Sequence, residues 1–196
     1  MDRHLEDIRE IRTLMERSSR FISLSGLSGV SAGTIAVAGA AVAYYLKGFF
    51  VSEAKDNMMF YIIDALVVLA LALLSGFYFT YRKTKRSGQK LIDKTSINML
   101  VNLFVPIVTG GIFCIATLYH GLVGLIAPSM LIFYGLGLIN ASRYSLHTIR
   151  YLGYLELVLG IVNLFILGYG FIFWIVGFGL LHIIYGIFMY RKYDRQ

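Results

Sequence analysis

Six apolar runs, near residues 21–46, 58–81, 96–119, 122–141, 152–168 and 170–190, constrain this chain more than any other feature. A bilayer core of about 30 Å takes about 20 helical residues to cross, and each run approaches or exceeds that length. Composition agrees: 58% hydrophobic residues, 15% charged residues and a mean hydropathy of +0.71 leave too few charges to cover the surface of a soluble domain. The expected fold is all-α, a polytopic membrane protein with six transmembrane helices arranged as three hairpins over 21–190. A cytoplasmic amphipathic helix at 1–20 precedes it and a cytoplasmic tail at 191–196 follows.

Charge placement supplies the direction of threading. Of the eighteen Lys and Arg residues, all but Lys47 and Lys55 fall at the N-terminus, after the second and fourth runs, or in the tail. Cationic loops stay on the cytoplasmic side, so both termini are expected in the cytoplasm, and an even number of crossings follows. The net charge of +7 comes from these short blocks and forms no basic face or motif, so no nucleic acid partner is expected. The first twenty residues mix both signs and lack the apolar stretch of a signal peptide, so no cleavage is expected. The single cysteine, Cys114, rules out an intrachain disulfide and reads as a small core residue.

The second and third hairpins read as diverged copies at an offset of 49 residues, with Gly121 over Gly170, Gly137 over Gly186, Arg143 over Lys192 and Gly111 over Gly160. Three hairpins with a glycine-containing second helix, as in APSMLIFYGLGLI, resemble the HdeD-type acid-resistance membrane proteins, which are six-helix and repeat-built. The likeness covers hairpins two and three. The segment IRTLMERSSRFISLSGLSG (11–29) is similar to a group of small six-helix membrane proteins of Bacteroidetes-type bacteria. That resemblance implies a bacterial inner-membrane home and carries no activity.

The first run is unlike the others: SLSGLSGVSAGTIAVAGAA (23–41) has fourteen Gly, Ala, Ser or Thr among nineteen residues and no aromatic ring. Burying leucine gains little in lipid, so helices associate by close backbone approach and interhelical hydrogen bonds, which small residues permit. Ser25, Gly29 and Gly33 recur every four positions and form one helical face. The first helix is therefore expected at the centre of the bundle or in a homo-oligomer seam, with the aromatic-rich second, fourth and sixth helices meeting lipid. Residues 2–17 form an amphipathic pattern in which five acids balance the arginines. Packing on its own inner loops or on another copy is expected, with docking of a cytosolic protein through 2–20 or binding to the membrane surface as the alternatives.

Ionisable residues inside spans are functional candidates because hydrocarbon tolerates them poorly. Asp64, Glu156 and His182 meet that description. Gly153, Glu156, Gly160 and Asn163 share one face of the fifth helix, as Gly179, His182 and Gly186 do on the sixth. Glu156 lies thirteen residues before Tyr169 and His182 thirteen after it, so both should sit about 20 Å from the turn and touch. The pair is either a structural bond between helices or a proton or cation station, reached from the cytoplasm along Asn98, Asn102 and Asn140. Asn102 is expected level with Asn140 and bonded to it, and Asp64 is expected to bond the hydroxyls and backbone of the first helix. His120, His147 and His4 fall at the wrong depth for a second haem ligand. HExxH, a three-ligand cluster, a phosphate loop ending in Lys and paired carboxylates are absent, so neither metal nor cofactor nor enzymatic activity is expected. The reading is a non-enzymatic integral inner-membrane protein with a self-associating or membrane regulatory or stress role. The alternative is a small proton- or cation-coupled transporter or channel using Glu156 and His182.

Overall fold

The computed structural model describes residues 25–47, 58–86 and 92–194; the expected amphipathic helix at 1–20 lies outside them. The described residues are helical and contain no strand. In chain order they form α1 (Gly26–Lys47), α2 (Met58–Arg86), α3 (Lys94–Tyr119), a single 3₁₀ turn at Val123–Leu125 leading into α4 (Ile126–Ala141), α5 (Ile149–Phe165) and α6 (Gly170–Asp194). Five of these rods are long and apolar enough to cross a membrane. The other, α5, has 17 residues, a length of about 25 Å. It starts earlier and stops sooner than the run at 152–168 suggests.

Local chemistry accounts for the helix ends. Asp93 is extended and accepts from the Ser96 amide at 2.6 Å, while the Ser96 hydroxyl accepts from the Asp93 amide at 2.9 Å. This reciprocal box satisfies two of the amides that every helix start leaves free. At the other end of α3 the Leu122 amide reaches back to the Thr117 carbonyl and the Gly121 amide to the Leu118 carbonyl. That closure needs a left-handed residue, and Gly121 supplies it with φ of 73°. Gly168, with φ of 104°, turns the chain between α5 and α6.

Packing departs from three self-contained hairpins. α1 lies against α2 and α6, and α4 lies against α3 and α5. α5 and α6 follow each other in sequence but meet over a short length, because α5 runs along α4 and α6 runs along α1. The glycines matched by the 49-residue offset therefore have different neighbours. A Cβ on Gly137 would fall 2.7 Å from the Leu103 carbonyl of α3, whereas one on Gly186 would fall 2.7 Å from the Gly26 carbonyl of α1.

Small residues bring α1 and α6 into backbone contact. A Cβ on Gly33 would lie 2.6 Å from the Gly179 carbonyl, and one on Gly29 would lie 3.1 Å from the Gly186 Cα. The small-residue face of α1 is thus covered by α6 of the same chain. Of the second, fourth and sixth helices, all expected to meet lipid, the fourth departs from the expectation, exposing only Leu136 and Asn140, whereas α6 buries one face and exposes Ile172, Leu180, Ile184, Ile187 and Phe188 on the other. α2 is peripheral, with Leu66, Leu69, Leu73 and Phe77 exposed. α4 and α6 bury Leu131, Leu138, His182 and Met189, because the glycines on one side of each rod admit a neighbouring helix.

Basic residues mark one end of the bundle, and a three-helix clasp closes that end. Asp194 Oδ2 accepts from the Ser25 hydroxyl at 3.0 Å and from the Gly26 amide at 2.9 Å, and Asp194 Oδ1 lies 2.7 Å from Lys83 Nζ. The last residue of α6 therefore caps the start of α1 and pairs with the end of α2. The expected tail at 191–196 is helical through Asp194.

Candidate functional site

The site is built where α4, α5 and α6 meet. On α5 the spacing of three, four and three residues turns Gly153, Glu156, Gly160 and Asn163 inward, and all four are buried. Gly153 and Gly160 seat α5 on α4: a Cβ on Gly153 would lie 2.8 Å from the Gly135 carbonyl, and one on Gly160 would lie 2.9 Å from the Pro128 carbonyl. Such close seating leaves Glu156 facing α6. There the helix loosens into a π-turn over Ile175–Leu181, a distortion that frequently accompanies functional sites.

His182 follows that turn directly. Its Nδ1 lies 3.0 Å from the Gly177 carbonyl, five residues back. A carbonyl only accepts, so Nδ1 carries the proton in this contact and Nε2 is left with a lone pair. Tyr134 of α4 places its hydroxyl 2.8 Å from Nε2 and donates to it. The Nδ1 atom also faces Glu156 Oε1 at 3.4 Å. That is a charge-range contact and too long for a good hydrogen bond. Glu156 is fully buried, and among the described residues neither of its oxygens has a hydrogen-bond donor. Gly177 makes room for this carboxyl, since a Cβ there would fall 2.6 Å from Oε2. Phe178 covers the cluster, with its ring 5.2 Å from that of Tyr134 and 6.0 Å from that of His182.

Glu156 and His182, placed level by counting from Tyr169, are thus brought together. Asn163, seven residues along the same face, points its Nδ2 at the Ile166 carbonyl at 3.3 Å, and its buried Oδ1 has no described partner. The other polar candidates stand apart. Asn102 donates to the Asn98 carbonyl of its own helix at 2.9 Å and Asn140 is exposed, so the expected Asn102 to Asn140 bond is not made. Own-helix carbonyls satisfy a short amide without a partner helix. Asp64 approaches Gly39 of α1 but forms no hydrogen bond with the hydroxyls of α1 among the described residues. The hydroxyl bridge between α1 and α2 is instead Ser31 to Ser75, at 3.2 Å. Of the packing residues, Gly29 and Gly33 meet α6, while Ser25 spends its hydroxyl on the Asp194 clasp. Cys114 directs its thiol at the Ile126 carbonyl, and His120 and His147 are exposed.

Sequence reasoning missed the aromatic and backbone partners of His182. Tyr134 carries no signal of its own in a chain with fourteen tyrosines, and a π-turn has no residue code. It also passed over one motif: residues 29–33 read Gly-Val-Ser-Ala-Gly, the spacing of a hydrolase nucleophile elbow. An elbow needs a sharp turn from strand to helix. Ser31 sits within α1, and its hydroxyl is spent on the Ser28 carbonyl at 3.0 Å and on Ser75.

The arrangement can hold or pass a proton between a phenol, an imidazole and a carboxyl. Both imidazole nitrogens of His182 already have protein partners, and the described residues contain no group of three His, Cys, Asp or Glu able to hold a metal. Compared with known proteins, the chain matches no family model, no curated protein and no solved structure.

Proposed function

We propose that this chain is a non-enzymatic integral protein of a bacterial inner membrane, crossing it six times with both termini in the cytoplasm and serving a membrane regulatory role. The observation that carries the reading is the filled contact around Glu156. Leu131, Gly177 and the Tyr134–His182 pair occupy the space beside a carboxyl with no exposed surface. A polar cluster of this kind ties three helices in a solvent where leucine contacts hold them weakly. The short α5 reaches across by local thinning of the bilayer and by its flanking Arg150, Tyr151 and Tyr169. Self-association, if it accompanies this role, uses a surface other than the Gly29 and Gly33 face, which α6 covers.

A second reading is favoured by one specific observation: the oxygens of Glu156 lack donors while His182 Nδ1 stands 3.4 Å away. In that reading the pair takes up a proton and couples it to transport. Reconstituting the full chain in vesicles with an internal pH dye separates the two. The regulatory reading expects no proton flux under an imposed gradient. Flux that disappears in Glu156→Gln while the protein stays folded establishes the second reading and displaces the first.

A further inference from the structure

A line of hydroxyl groups runs from the basic end of the bundle toward Glu156. Thr148, at the start of α5, places Oγ1 3.3 Å from the Tyr185 hydroxyl. Tyr185 and His182 are three residues apart on α6 and so share a face. Tyr185 and Tyr134 both pack against the same buried cluster of Leu138, Leu152 and Met189. Tyr134 then bonds His182 Nε2 at 2.8 Å, and His182 Nδ1 faces Glu156 Oε1 at 3.4 Å.

We propose that Thr148, Tyr185, Tyr134 and His182 form a proton path from the basic face of the bundle to the Glu156 carboxylate. The proposal rests on the second reading above, that the Glu156–His182 pair takes up a proton. Each member of the line both accepts and donates, as a proton path requires. A proton entering at Thr148 displaces one from hydroxyl to hydroxyl, and a single water closes the step between the two phenols. Tyr134 delivers its proton to Nε2 as it receives another from the Tyr185 side. The imidazole releases the Nδ1 proton to Glu156 Oε1. The net change is one proton gained by the carboxylate, with every phenol and the imidazole neutral before and after and only the tautomer of His182 exchanged. The new acid O–H then faces the vacated Nδ1 lone pair, 3.4 Å from Oε1.

Three elements build the site, and each contributes a defined set of groups. α5 brings Glu156, with Thr148 at its start, α4 brings Tyr134, and α6 brings His182 and Tyr185; Gly29 and Gly33 of α1 meet the backbone of α6 and carry no titratable side chain. No described cation faces the carboxyl. The path differs from the asparagine route that the sequence suggests, because Asn98, Asn102 and Asn140 bond neither member of the pair among the described residues.

Infrared difference spectroscopy of the full chain in lipid nanodiscs, started by transfer to deuterated buffer at constant pH, tests this. The protonated carboxyl band lost in Glu156→Gln is followed in time, at a pH low enough for Glu156 to hold the proton it has taken up. The path expects that band to shift on deuteration, and to shift at least about a hundredfold more slowly in Tyr134→Phe and in Tyr185→Phe, the lower end of what a positioned proton donor contributes. Tyr185→Phe alone decides the matter if Tyr134→Phe does not fold, since among the described residues the Tyr185 hydroxyl bonds Thr148 and neither Glu156 nor the imidazole. A band that never exchanges overturns proton uptake by the pair and the path with it. A band that exchanges in Tyr185→Phe at the native rate overturns the path and leaves uptake standing.

Discussion

His182 spends both ring nitrogens within the protein, one on a phenol and one on a backbone carbonyl, so neither is free for another ligand. Tyr134→Phe removes one interhelical hydrogen bond. In membranes such bonds contribute about 0.6 kcal/mol on average and no more than about 1.7 kcal/mol, so a loss of about 1 kcal/mol is expected in reversible unfolding in detergent micelles. His182→Leu leaves the Tyr134 hydroxyl and the Glu156 carboxyl facing hydrocarbon together. A larger loss, about 3 kcal/mol, follows from leaving a buried partner uncompensated. A smaller effect for His182→Leu than for Tyr134→Phe would remove the imidazole from the centre of the cluster. At this scale the meeting of Glu156 with His182 was legible from counting residues about the turn at Tyr169. Tyr134 was not legible, because a phenol placed mid-span is marked as a partner only by what lies opposite.

Glycine decides which rods touch. Gly33 of α1 meets the Gly179 carbonyl and the Ile183 amide, where a Cβ would lie 2.6 and 2.9 Å from backbone atoms. Backbone has no rotamer with which to yield, so Gly33→Leu forces α1 away from α6. About 3 kcal/mol of destabilisation is expected, at the upper end of ordinary overpacking. Gly76 of α2 is the control, since a Cβ there meets nothing within 4 Å, and Gly76→Leu should stay within about 0.5 kcal/mol of the native protein. Thermal unfolding of both variants in one detergent makes the comparison. The small-residue face of α1 was readable from its spacing of four. Its occupant was not, because the same face suits another copy of the chain as well as α6.

The whole molecule is organised by ends as much as by faces. Asp194 joins the close of α6 to the start of α1 and to Lys83 of α2, so three elements distant in sequence share one basic end. The same end holds Thr148 and Met189, whose Oγ1 and Sδ lie 3.3 Å apart. If α5 crosses despite its 17 residues, the connections at Tyr119 and Tyr169 face one side and Arg143 the other. In a Cys114→Ser background, an impermeant thiol reagent applied to intact cells should label Tyr119→Cys and Tyr169→Cys. Arg143→Cys should react only after permeabilisation. Equal labelling of Arg143→Cys and Tyr169→Cys would reduce the crossings to five.

What this sequence determines unaided is what each residue carries within itself or along its own helix. Apolar length makes helices able to cross a bilayer, cationic blocks gather at one end, and spacings of three and four place glycine, Glu156 and His182 on inward faces. Those properties need no neighbour to be defined. The tertiary structure alone decides which helix each inward face meets: α6 against α1 rather than α5, Tyr134 against His182, Asp194 against Ser25. Lipid offers every leucine surface nearly the same reward, so pairing rests on steric fit and on directed polar bonds between residues far apart in the chain, and neither is written in any local pattern.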